Sequence, residues 1–191
     1  MKYKTIMLNV DSYVRLADAK AALARRMGVS LSFNDLILEL VSKNLDFLDI
    51  DEGLKSHIAK FADKVKELDY VLGILLFGSV AKETSGENSD IDVLVLVRPG
   101  GKGHLAKLID IAASLREDES KLMEKGLPSF ISPILLSVDE LRKFRPFYLD
   151  LADYGVILYE KDHLLSNFIY ETKRIKHKRE LINNTEVLAW R

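Results

Sequence analysis

Two acids stand inside one apolar run of this chain. Asp90 and Asp92 open the stretch Ser89-Asp90-Ile91-Asp92-Val93-Leu94-Val95-Leu96-Val97. A near-continuous apolar run of this length reads as a buried strand. Carboxylates are expensive there unless a cation or hydrogen-bond donors satisfy them. A second apolar run, residues 70–77, ends at Gly78-Ser79, and ten residues separate that pair from Asp90. The chain must therefore fold so that a Gly-Ser turn after one strand meets an Asp-x-Asp pair at the start of another.

The spacing has a chemical reading. Side chains alternate along a strand, so Asp90 and Asp92 are expected on one face, about 7 Å apart. Such a pair suits Mg2+, which takes few protein oxygens and completes its shell with water and substrate phosphates. Gly78 lets the backbone approach a ligand closely. Ser79 would open a short helix with its free N–H groups turned toward phosphates. Ser89 would orient the first carboxylate or cap the strand entry.

The stretch LFGSVAKETSGENSDIDVLVLV resembles the nucleotidyltransferase superfamily that includes DNA polymerase beta, and its minimal nucleotidyltransferases in particular. The resemblance implies catalytic and metal-holding roles for Asp90 and Asp92. It implies a nucleotide-binding role for Gly78, Ser79 and Ser89, with Mg2+ as cofactor and a nucleoside triphosphate as substrate or ligand. Two positions depart from the family. Glu83 stands where a second glycine is usual, which reads as an ordinary helical turn with an added charge. The family's third carboxylate, on a later strand, falls by register on Ser132. Metal and nucleotide binding is thus better supported than catalysis.

The first fifty residues read as strand, helix, helix. Residues 2–10 alternate, Asp11 offers an N-cap, a helical stripe runs from Val14 to Met27, and Ser32 caps a second helix. One strand with two short helices cannot satisfy its own backbone, so a homodimer that pairs two such strands antiparallel is expected. Residues 2–45 resemble the ribbon-helix-helix DNA-binding family. That resemblance implies promoter-DNA contacts through Tyr3, Thr5 and Met7, with Ser32 near a phosphate.

The rest reads as helix 51–68, one long helix 104–126, a strand at residues 129–136, a helix-like stretch at 149–155, a strand at 156–159 and a basic helix from 162 to about 181. The fold class expected is α+β: a ribbon-helix-helix unit over residues 1–48, and a nucleotidyltransferase domain over residues 52–191 with a mixed sheet flanked by helices.

Composition narrows the function. The 191 residues carry no Cys, which excludes disulfides, thiolate nucleophiles and Cys-held metals. Lys+Arg number 28 against 29 Asp+Glu, and residues 1–50, 51–160 and 161–191 carry +1, −5 and +3. No segment has the strong positive balance of a free-standing nucleic-acid domain. No run is long and apolar enough for a membrane span, and no secretory leader pattern opens the chain, so a cytoplasmic protein is expected. Two functions remain. One is a Mg-dependent transferase moving a nucleoside monophosphate to a hydroxyl, with family resemblance suggesting the antitoxin of a toxin-antitoxin pair and a toxin as partner protein. The other is a DNA-binding transcriptional regulator whose nucleotidyltransferase fold is catalytically impaired and senses a nucleotide.

Overall fold

A computed structural model describes residues 7–27, 30–33, 36–37, 45–175, 177–182 and 185–190. The chain divides into two compact units, Met1–Ser42 and Lys43–Arg191.

In the first unit, α1 spans Val10–Met27. Its cap is Asn9 rather than Asp11: the Asn9 side chain accepts the Ser12 N–H at 2.8 Å and its carbonyl accepts the Tyr13 N–H. An amide oxygen one residue ahead of the helix reaches that orphan donor, so Val10 becomes helical. The strand expected over residues 2–10 is therefore corrected at its end, because residues 7–9 have no regular structure and Val10 belongs to α1. Residues 1–6, with Tyr3 and Thr5, lie outside the described residues. Within this unit the Tyr13 and Phe33 rings lie 5.4 Å apart, and Leu36 is buried.

The second unit is built on a four-stranded mixed sheet. Its strands are β1 Val71–Phe77, β2 Ile91–Val97, β3 Ile131–Ser137 and β4 Val156–Glu160. Their order is β3-β2-β1-β4, with β1 antiparallel to both neighbours, each pairing carrying one register shift, and β2 parallel to β3. The helices are α2 Glu52–Lys66, α3 Gly78–Ala81, α4 His104–Ala113, α5 Arg116–Glu124, α6 Tyr148–Tyr154 and α7 Leu164–Lys173.

Alternation along β2 separates two cores. Ile91, Val93, Val95 and Val97 pack with residues of α2, α4 and α5. Leu94 and Leu96 turn the other way, toward Tyr148, Leu151, Leu165 and Ile169 of α6 and α7. Each such aliphatic side chain removed from water is worth about 1.5–3 kcal/mol. Burial on both faces explains why β1 and β2 read as unbroken apolar runs.

Three expectations change. The helix over 104–126 is two helices. At the break Ser114 Oγ donates to the Ile111 carbonyl at 2.7 Å and accepts Lys64 Nζ at 3.1 Å, a local bond that competes with helix continuation. The basic helix stops at Lys173, and residues beyond it form a hairpin of β5 His177–Ile182 and β6 Thr185–Trp190. The strand with the acids begins at Ile91, not Ser89: its first bond is Ile91 N–H to the Phe130 carbonyl at 2.8 Å.

That bond also sets the edge of the sheet. Phe130 turns its carbonyl to β2, and the Val138 N–H donates to Val97 O. Backbone direction alternates along a strand, so residues 131, 133, 135 and 137 face the open edge, with the Ser137 N–H already donated to Glu140 Oε2 at 2.9 Å. Pro133, which has no N–H to offer, stands between Ile131 and Leu135 in that outward set.

Candidate nucleotide site

The β1–β2 pair brings the two motifs together. Phe77, the last residue of β1, stands opposite Asp92, and α3 begins at the next residue, Gly78. Gly78 has φ +72, a conformation that L side chains rarely adopt. A Cβ placed on it would lie 2.1 Å from Asp92 Oδ2 and 2.9 Å from Cγ. The Asp92 carboxylate therefore fills the space that a side chain at residue 78 would need. Ser79 follows, half-buried, in the first turn of α3.

Asp92 continues the face that carries Leu94 and Leu96, so it sits where the apolar side of the sheet meets solvent. Burial pushes its carboxyl above the usual range, and the negative charge of Asp90 pushes it further. Asp90 is exposed and precedes the first ladder residue. Strand alternation therefore does not fix it to the Asp92 face, and electrostatics is what links the two acids. Ser89 closes the turn before them: its Oγ accepts the Gly86 N–H at 3.0 Å, and its own N–H donates to Gly86 O at 2.9 Å.

Ser132 pairs with Asp92 across the parallel strands, so their side chains leave the same face of the sheet. A hydroxyl there can donate and accept hydrogen bonds but cannot act as a base at neutral pH. Among the described residues, no group of three or more acids and histidines is placed to hold a metal. Asp90 and Asp92 as a pair still fit Mg2+, because phosphate and water oxygens complete its shell. The carboxylate lodged in the Gly78 gap, held above its normal titration range, has the chemistry of such a ligand.

Two features of the site were not read from the sequence. Lys82 Nζ pairs with Asp150 of α6 at 3.2 Å and lies 4.9 Å from the centre of the Tyr154 ring, one helical turn further on. Sixty-eight residues separate that pair in sequence, and no local pattern marks it. Glu83 is not the ordinary turn residue expected: it is left-handed, with φ 57. The glycine usual at that position was the available signal. Of the residues expected to meet DNA, Met7 is 94% exposed and Ser32 starts a helical turn, its carbonyl accepting the Leu36 N–H at 3.2 Å.

The family profile of the nucleotidyltransferase domain matches residues 58–184. The chain belongs to the nucleotidyltransferase domain family. A curated relative, a candidate protein adenylyltransferase of Methanocaldococcus jannaschii, is 28% identical over 148 residues, covering 74% of this chain and 97% of that protein. Among solved structures, a toxin-antitoxin crystallised with AMP-PNP is 21% identical, with TM-score 0.40 over 62% of this chain and 82% of that one. A candidate nucleotidyltransferase from Sulfolobus solfataricus is 16% identical, with TM-score 0.33 over 60% of this chain and 92% of that one. No helix among the described residues is long and apolar enough to cross a membrane.

Proposed function

We propose that the chain transfers a nucleoside monophosphate from a Mg2+-bound nucleoside triphosphate to a hydroxyl on a partner protein. The observation that carries this reading is the fit of Asp92 into the space left by Gly78. It places a raised-pKa carboxylate against the turn that begins α3. The name of the M. jannaschii relative supports a protein acceptor and an adenylyl group.

Asp92 and Asp90 would hold the metal, and Gly78 and Ser79 would hold the phosphates. Mg2+ bound there would supply charge neutralisation on the triphosphate. The acceptor oxygen forms a bond to the α-phosphorus, the bond from that phosphorus to pyrophosphate breaks, and the acceptor proton passes to water. Ser132 would offer a hydroxyl beside Asp92 and no proton transfer.

The test is calorimetric titration of MgATP and MgGTP into wild-type and Asp92→Asn protein, with a thermal melt of each. Wild-type protein should bind and gain about 2.7 kcal/mol at a hundredfold excess over Kd. No binding at millimolar nucleotide, or identical behaviour of the two proteins, would overturn the reading.

Ser132 favours a second reading: a regulator that binds the nucleotide without transferring it and contacts promoter DNA through the first unit. Binding without pyrophosphate release, together with retention of promoter DNA by the full chain at low salt, would select it. In either case we propose a homodimer through the first unit. There Met7, Val10, Tyr13 and Val14 leave apolar surface exposed within that unit.

A further inference from the structure

α3 is a single turn, and its only backbone bond of helical span is from the Lys82 N–H to Gly78 O, at 3.1 Å. A helix this short has little stability of its own, so its neighbours must fix it. Its C-terminal end carries a two-bond cap. The Glu83 N–H donates to Val80 O at 3.1 Å, and the Thr84 N–H donates to Ser79 O at 2.9 Å. This cap requires a left-handed residue at its centre, a place that glycine fills most easily. Glu83 takes that conformation instead, although its Cβ makes it costlier than glycine.

The side chain gives a reason for the substitution. Glu83 Oε1 accepts the Asp49 N–H at 3.0 Å, a bond that reaches back 34 residues to the segment just before α2. A glycine would relax the backbone but leave α3 untied on that side. Lys82, the preceding residue, ties α3 to α6 through Asp150. The cap and the proposed phosphate-binding turn share Ser79, whose carbonyl is the acceptor for Thr84. Whatever holds Glu83 therefore also holds the Ser79 peptide.

We infer that Glu83 is a positioning residue for the nucleotide-binding turn: its carboxylate, bonded to the Asp49 N–H, fixes the end of α3 and so orients Ser79. This inference rests on the reading of Gly78-Ser79 as that turn. Glycine at this position would satisfy the backbone better and position the ligand worse. Stability and affinity should therefore move in opposite directions.

The experiment compares wild-type, Glu83→Gly and Glu83→Gln full-length proteins by thermal melt and by calorimetric titration with MgATP. Glu83→Gly should melt at or above the wild-type temperature yet bind MgATP about three- to tenfold more weakly, the range one net hydrogen bond carries. Glu83→Gln keeps an acceptor oxygen and should bind within about twofold of wild type, below the loss that one net hydrogen bond carries. Wild-type affinity in Glu83→Gly, or equal losses in both variants, overturns the inference. Amide hydrogen exchange at Thr84 supplies a readout that needs no nucleotide, and it should speed up in Glu83→Gly and stay slow in Glu83→Gln. Wild-type protein that fails to bind MgATP defeats the nucleotide reading. Unchanged Thr84 exchange in Glu83→Gly defeats the tether itself.

Discussion

Replacing Gly78 by alanine tests the heart of the site with one methyl group. Two costs add. The first is conformational: an alanine held at φ +72 loses about 1–2 kcal/mol relative to glycine. The second is steric. The new Cβ would lie 2.1 Å from Asp92 Oδ2 and 3.1 Å from Asp92 Cβ, so rotation of the carboxylate alone does not clear it. Forcing that side chain off its rotamer costs about 0.5–1.5 kcal/mol more. The total is about 1.5–3.5 kcal/mol, or a fall in melting temperature of about 3–14 °C for a chain of this size. Urea denaturation of wild-type, Gly78→Ala, Asp92→Ala and the double variant separates the two costs. In the Asp92→Ala background most of the steric part disappears, which leaves a coupling of about 0.5–1.5 kcal/mol between the sites. MgATP binding should be lost in both Gly78→Ala proteins. A Gly78→Ala protein with wild-type stability and affinity, or equal costs in both backgrounds, would show that Asp92 does not occupy the space at residue 78.

The remaining expectations concern charge and assembly. The folded-state pKa of Asp92 lies above its unfolded value of 3.8, so its contribution to stability is present below that pH and is lost as pH rises through the raised value; Asp92→Asn should therefore melt higher than wild-type apoprotein at neutral pH and lose the advantage in acid, as melts across a pH series will show. His57 is held below its ordinary 6.5 chiefly by burial, so its contribution is full above that value and is lost as pH falls from it toward the depressed one; His57→Leu should flatten the acid limb of the stability curve. Ser132→Asp adds a third carboxylate opposite Asp92, so it should lower the apo melting temperature, and Mg2+ should restore it more than in wild type. Sedimentation at micromolar concentration should give a dimer, and a Tyr13→Glu variant, which charges the exposed face of α1, should run as a monomer.

What the sequence disclosed follows from which forces leave a pattern in it. Burial of both sheet faces writes itself as apolar runs, so β1 and β2 were legible to within two residues, and the acids at the start of β2 stood out against them. A dihedral angle leaves no such trace. Glu83 looked like an ordinary turn residue, because residue type reports preference and not the φ that the cap demands. The helix break at Ser114 was hidden by an apolar stripe that runs on through Leu115 and Leu122. The C-terminal hairpin was missed because Lys176, Lys178 and Arg179 read as a helical charged face. Lys82 and Asp150 meet only through the packing of α3 on α6, which no window along the chain can see.

Pro133 bears on how the molecule behaves in a crowd of its own kind. At this edge Ile134 of β3 and Phe130 just before it have apolar surface open to water, and Phe130 lines a groove with the exposed Leu105 and Ile109 of α4. A rim of that composition would ordinarily recruit a foreign strand and seed stacking of one sheet on the next. Recruitment depends on an uninterrupted row of donors, and the imino ring removes the middle one. An incoming strand would have to leave a carbonyl dry at that point, a loss of about 1–3 kcal/mol set against a short three-residue grip. The sheet therefore ends at four strands by chemistry as well as by topology, and the apolar rim can remain uncovered without turning the protein into the first unit of a fibre.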